Sequence, residues 1–208
     1  MRRLIAIALV SVLAVSCTSP DTEGQYEEYQ SATAGSRGVQ GDATDGPEGM
    51  HVDFTGTYFF ALATVLDPDQ PIWLQADITV ASDLSTFDLV LQPLFVDSNA
   101  DARTPVGDPI IADSVPFNED GTFTAVLGDV LVAGGANPIS GADISANLNI
   151  EGIVLANNAF CGIPTGNVSS PVTLNDLTGS TFYAEVSAPS DFASIADPGT
   201  SCDDAPAQ

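Results

Sequence analysis

The stretch that decides the fold runs Ile72-Trp73-Leu74-Gln75-Ala76-Asp77-Ile78-Thr79-Val80. Ile72, Leu74, Ala76, Ile78 and Val80 alternate with Trp73, Gln75, Asp77 and Thr79. A period of two sends these sets to opposite faces of a strand, whereas a helix would scatter both around its circumference. One face is apolar and the other largely polar, as in an antiparallel sheet covered on a single side.

Working outward, the same chemistry recurs between turn signals. Upstream, Phe54 to Val65 is rich in aromatic and β-branched residues, and Asp67-Pro68-Asp69-Gln70 reads as the turn that follows. Downstream, Phe87 to Val96 forms another strand, in which Pro93 calls for an edge position or a bulge. A loop from Asp97 to Asp108 leads to a strand at Ile110 to Val115. Asn118-Glu119-Asp120-Gly121 is a hairpin signal before Thr122 to Val132. Ile139 to Leu155 reads as a long segment broken near Gly152. Cys161-Gly162-Ile163-Pro164-Thr165-Gly166 reads as a loop whose glycines serve turns, and Val172 to Val186 as a last strand. With 14 prolines, 18 glycines and no sustained 3.6-residue pattern, the chain is expected to be all-β. The architecture is an antiparallel β-sandwich or small β-barrel of about seven to nine strands.

The N-terminus has a different character. Arg2 and Arg3 precede an apolar run from Leu4 to Leu13, and Ala14-Val15-Ser16 supplies small residues for cleavage. That run is too short to cross about 30 Å of hydrocarbon as a helix. The step Leu13-Ala14-Val15-Ser16-Cys17 resembles the lipobox of bacterial lipoproteins, although Ala14 stands where that motif has Leu. The resemblance covers residues 1–17 and implies a signal peptide over 1–16, with Cys17 acylated and becoming the first residue of the mature chain. Thr18, rather than Asp, follows Cys17, which by the same resemblance implies the outer membrane. Ala14 and Ser16 also satisfy ordinary signal peptidase, leaving plain secretion as the alternative. Residues 17–50 are rich in Gly, Ser, Thr, Asp and Glu, and read as a disordered acidic tether that reaches about 30 Å. The β domain follows at 51–188, with a loop-like tail at 189–208. Once Cys17 carries lipid, Cys161 and Cys202 remain as an even pair in an oxidising compartment and are expected to bridge. Two reduced thiols are the alternative.

Charge excludes one class of partner. Four basic residues face 28 acidic ones, for a net charge of −24; removing Arg2 and Arg3 takes it to −26. Such a polyanion is repelled by phosphate backbones, so nucleic acid is not a partner. The acids serve solubility or hold a divalent cation. The sharpest cation candidate is Asp97, Asn99, Asp101 and Asp108, whose alternating oxygen side chains resemble the calcium loop of EF-hands and would suit Ca2+. Ala102 and Asp108 depart from that motif at the turn glycine and the bidentate Glu, and Arg103 sits within the loop as a counter-charge.

Catalytic signals are few. His51 is the only histidine and lies at the tether boundary, and none of the familiar nucleophile, metalloprotease or phosphate-loop motifs occurs. The sequence therefore reads as a non-catalytic lipoprotein, attached to the membrane through its lipid, whose β domain binds a partner or supports the envelope. A lipocalin-like carrier of an apolar small molecule is the alternative, and a hydrolase using acidic residues is a remoter one. Aromatic content of 7% and a polar C-terminus argue against a membrane-embedded barrel. A cavity in the domain would favour the carrier, a close-packed core the support role.

Overall fold

The computed structural model describes residues 49–96, 103–156, 159–195 and 199–205. Among them are eight strands: β1 (Gly56–Thr64), β2 (Asp67–Val80), β3 (Thr86–Pro93), β4 (Ile110–Pro116), β5 (Thr122–Val132), β6 (Ile144–Val154), β7 (Phe160–Ser170) and β8 (Thr181–Val186). They form one antiparallel sheet in the order β4-β3-β2-β1-β8-β7-β6-β5. An isolated bridge between Phe117 and Phe123 brings β4 back to β5. The sheet thus curls into a nearly closed up-and-down barrel in which each strand neighbours its predecessor and β8 returns to β1.

The alternation read from β2 holds around the ring. Tyr58 and Phe60 of β1, Leu74 and Ile78 of β2, and Phe87 and Leu89 of β3 are buried in one cluster. Thr79, Asp88, Thr124, Asn147 and Glu151 are exposed on the outer face. An apolar inside and polar outside reverses the pattern of a membrane-embedded barrel.

Several local expectations are corrected. The first turn is Val65-Leu66, and Asp67 already pairs with Thr64. The register slips between Leu62, which pairs with Ile72, and Thr64, so Pro68 and Pro71 fall in an irregular stretch where no regular ladder needs their missing donors. Pro93 marks neither an edge nor a bulge: it is the last residue of β3, which is paired on both sides. Strand β6 is continuous through Gly152, and its start is delayed to Ile144 because Asn137 organises the preceding loop. The Asn137 side chain donates to Ser140 Oγ and the Ala142 carbonyl, and accepts from the Ile139 and Ser140 amides.

The largest correction is β7. The Cys161 to Gly166 run is a strand paired with β6 along its length, and only Thr181–Val186 of the last expected strand is extended. Its glycines permit close approach instead of turns. A Cβ on Gly162 would lie 2.0 Å from the Glu151 carbonyl oxygen, and one on Gly152 would lie 2.5 Å from the Phe123 ring. The paired glycines Gly152 and Gly162 let the wall curve over that ring.

The tail lies along the barrel's outer face in two places. Cys161 and Cys202 form a disulfide, with Cα atoms 5.2 Å apart, and Cys202 packs with Leu155, Ala159 and Tyr183. Phe192, on a short 3-10 helix at Pro189–Ser194, packs against Phe59 with ring centroids 5.1 Å apart. Arg103 joins the two layers: its guanidinium stands 4.1 Å from the Trp73 ring centroid and 4.8 Å from that of Phe59, and it donates to the Phe192 and Ile195 carbonyls. The counter-charge expected within the acidic loop is therefore engaged with the tail.

The glycine account makes a quantitative prediction. Gly162→Ala should cost about 3 kcal/mol in urea unfolding, since backbone must shift to admit the methyl group. Gly128→Ala, at φ 67 but with nothing within 4 Å, should cost only about 1 kcal/mol. Equal costs would contradict close approach as the reason for Gly162.

Candidate functional site

Side-chain size is distributed unevenly along the barrel. At the end where the chain enters, aromatic rings fill the interior. Phe87 meets Phe54 and Phe123 at 5.1 Å in edge-on geometry, and Tyr58 meets Phe160 at 5.0 Å. Phe60 stacks on Phe182 at 4.9 Å. Edge-on and offset pairs of this kind each contribute about 1 kcal/mol beyond their burial. The Tyr58 hydroxyl donates to the Phe54 carbonyl, and burial, with a smaller contribution from Asp53, raises its pKa. His51 completes the plug: its Nε2 lies 2.9 Å from the Leu84 carbonyl oxygen, and its ring packs 4.7 Å from that of Phe117. The only histidine is thus a packing residue at the closed end.

Toward the other end the inward positions become aliphatic, and they do not fill the space. Phe60 borders a cavity of about 120 Å³ whose walls include Leu74, Leu91, Leu148, Ile150 and Val168. An eight-stranded barrel has an interior just wide enough for side chains to fill or for one small ligand. Here one end is filled and the other is not. Leu66, Ile139 and Val172 rim the cavity and are 49%, 36% and 50% exposed, so it communicates with solvent at the end away from the plug.

The polar groups of the lining are mostly committed elsewhere. Asn137 and Ser140 hold their own loop together, and Ser180 Oγ accepts from the Val65 amide at 2.9 Å. Thr64 Oγ1 is the exception, being buried without a partner among the described residues. A surface of this kind offers carbon contacts, one free hydroxyl and no charge, which suits an apolar molecule and gives little purchase to a polar one.

No family model and no curated protein matches the sequence. Among solved structures, the chain is similar to a redesigned beta barrel with 16% sequence identity and a TM-score of 0.33, covering 65% of this chain and 92% of that one. The fold assignment rests on the strand ladder itself.

The residues singled out from sequence fare differently. Cys161 and Cys202 are brought together on the outer wall, away from the cavity. Cys17, Asp97, Asn99 and Asp101 lie outside the described residues. Asp108 is exposed two residues before β4, and no group of three or more metal-ligating His, Cys, Asp or Glu side chains occurs among the described residues. The cavity itself was missed as a set of residues. Its signal was present in the sequence as a gradient of size: Tyr58, Phe87, Phe123 and Phe160 at one end of their strands, against Leu62, Leu91, Leu127 and Val168 at the other.

Proposed function

We propose that this chain is an exported, lipid-anchored carrier of a small apolar molecule, held inside the barrel beyond the aromatic plug. The cavity carries this reading: aliphatic walls enclose about 120 Å³ and present almost no polar atom. A dry cavity of about 150 Å³ lined by such side chains admits benzene or xenon, which sets the scale of the buried part of the ligand. The carrier reading is favoured over envelope support because a supporting domain gains nothing from leaving a void in its core, and each void forfeits packing energy. The anchor rests on the lipobox-like step at Cys17 and on the pairing of the other two cysteines with each other. In such an arrangement the plugged end is the one joined to the tether.

Two experiments test the two halves of the proposal. Neutral N-phenyl-1-naphthylamine, whose fluorescence rises in apolar surroundings, should bind saturably at one site per chain. Ala146→Phe, which fills the cavity from β6, should weaken that binding by about tenfold or more while the domain stays folded. Undiminished binding in the filled variant would end the carrier reading. In a Gram-negative host the full chain should incorporate radiolabelled palmitate and partition into detergent, and Cys17→Ala should lose both properties; membrane attachment unchanged in that variant would end the anchor.

A further inference from the structure

One wall of the cavity carries a polar group that no contact among the described residues explains. Thr64 ends β1 and shares the inward parity of Phe60 and Leu62. Its Oγ1 is buried without a hydrogen-bond partner. A hydroxyl so placed is costly, because it has lost water and gained no other partner. Valine has the same branched shape, suits a strand as well and would bury no unpaired oxygen. The rest of the lining takes that course, with aliphatic side chains such as Leu62, Ile72 and Leu177.

A second hydroxyl stands beside the first. The β1–β8 register runs to Ala63 opposite Thr181, so the next residues on the two sides are Thr64 and Ser180. Ser180 Oγ accepts from the Val65 amide at 2.9 Å, which ties it to the peptide unit joining Thr64 to Val65. The Ser180 amide in turn donates to the Leu177 carbonyl at 2.9 Å, so this side chain is held from both directions. Ser180 is only 1% exposed and lines the same cavity, and among the described residues its hydroxyl proton goes to no acceptor. Two neighbouring hydroxyls on one wall therefore each keep a proton to donate.

Their position and surroundings define what would accept those protons. Phe60 borders the cavity on the plug side, whereas Thr64 and Ser180 lie toward the mouth, near Leu66 at the rim. Among the described residues, no Asp, Glu, Lys, Arg or His lines the cavity, in a chain with 28 acidic residues. An ionised group carried inside would lose its hydration and meet no counter-charge.

We propose that the cavity's ligand is an uncharged molecule with a hydrocarbon body and a carbonyl oxygen, which accepts from the Thr64 and Ser180 hydroxyls near the mouth. Its body points inward toward Phe60. The proposal rests on the carrier reading and adds the ligand's polar group and its orientation. A carbonyl fits because its oxygen offers two lone pairs to two donors and brings no proton that needs an acceptor of its own.

Cyclohexanone and methylenecyclohexane test this, since they differ only in oxygen against methylene at one ring position. Each competes against bound N-phenyl-1-naphthylamine. Thr64→Val should weaken cyclohexanone by about tenfold and leave methylenecyclohexane unchanged. Thr64→Ser, which retains the hydroxyl, should keep most of the affinity for cyclohexanone. The melting temperature of the empty domain should not fall in Thr64→Val, because that change removes no hydrogen bond. Cyclohexanecarboxylate, ionised at pH 7, should compete at least about tenfold more weakly than cyclohexanone. Cyclohexanone binding indifferent to Thr64→Val, or weakened equally for both rings, would overturn the carbonyl assignment and leave the carrier reading standing. A melting temperature lowered by Thr64→Val would assign the hydroxyl to the fold and overturn it likewise. Competition by cyclohexanecarboxylate as strong as that by cyclohexanone would contradict the uncharged class. A protein that binds neither ring nor the probe removes the carrier reading itself, a result distinct from all of these.

Discussion

An eight-stranded barrel encloses a fixed interior that its inward side chains must fill, and here the filling is concentrated at one end. Phe54, Phe87, Phe117, Phe123 and Phe160 interlock edge to face there, and Tyr58 ties its hydroxyl back to the Phe54 carbonyl. The arrangement fixes where the chain enters, because residues 50–54 are themselves part of the plug: the Met50 amide donates to the Val154 carbonyl at 2.8 Å. It also dictates the glycines, since Phe123 reaches the centre only because Gly152 has no side chain in its way. With the aromatic volume spent at this end, Leu, Ile and Val remain for the other, and the cavity is the consequence.

Strand β2 shows how much of this was legible. Its alternation gave the inward and outward sets correctly, and the same rule recovered β3, β4 and β5 with nearly their observed limits. The Asn118 to Gly121 hairpin was readable because Gly121 takes the positive φ that the turn needs. Strand β7 was not readable. Gly162, Pro164 and Gly166 carry turn chemistry in isolation, and only the nearness of the β6 backbone, a property of the folded wall, explains them as strand residues. Pro164 is tolerated because β8 pairs only with Phe160 to Gly162, so there is no second ladder beside it to lose a donor from. The cavity was hidden for a related reason. Sequence alone tells which residues face inward, but whether they meet across the barrel depends on how many strands enclose them and where the large rings sit.

The acidic composition acquires a local meaning in the structure. Asp83 and Asp120 accept from the hydroxyls and then the amides of Ser85 and Thr122, and Asp204 accepts from the Thr200 and Ser201 amides, which holds all three below the usual carboxylate range. They are structural acids that stabilise loops while keeping the surface charged. Asp129 is engaged across the β5–β6 pair, where its carboxylate accepts from the Asn147 side-chain amide at 2.8 Å. The register shifts on β4 and β5, the two ends of the sheet order, twist those strands locally, which keeps them from offering a flat edge to a foreign strand.

The central claim is that the aliphatic end of the barrel beyond Phe60 holds an apolar cavity open to a guest. Diffraction from crystals of the mature domain held under xenon pressure tests it most directly, since xenon enters dry cavities by dispersion alone and demands no particular chemistry. The account predicts xenon among Leu74, Leu148 and Ile150, with none in the aromatic plug. A barrel whose aliphatic end has closed into van der Waals contact, with no xenon inside, would contradict it.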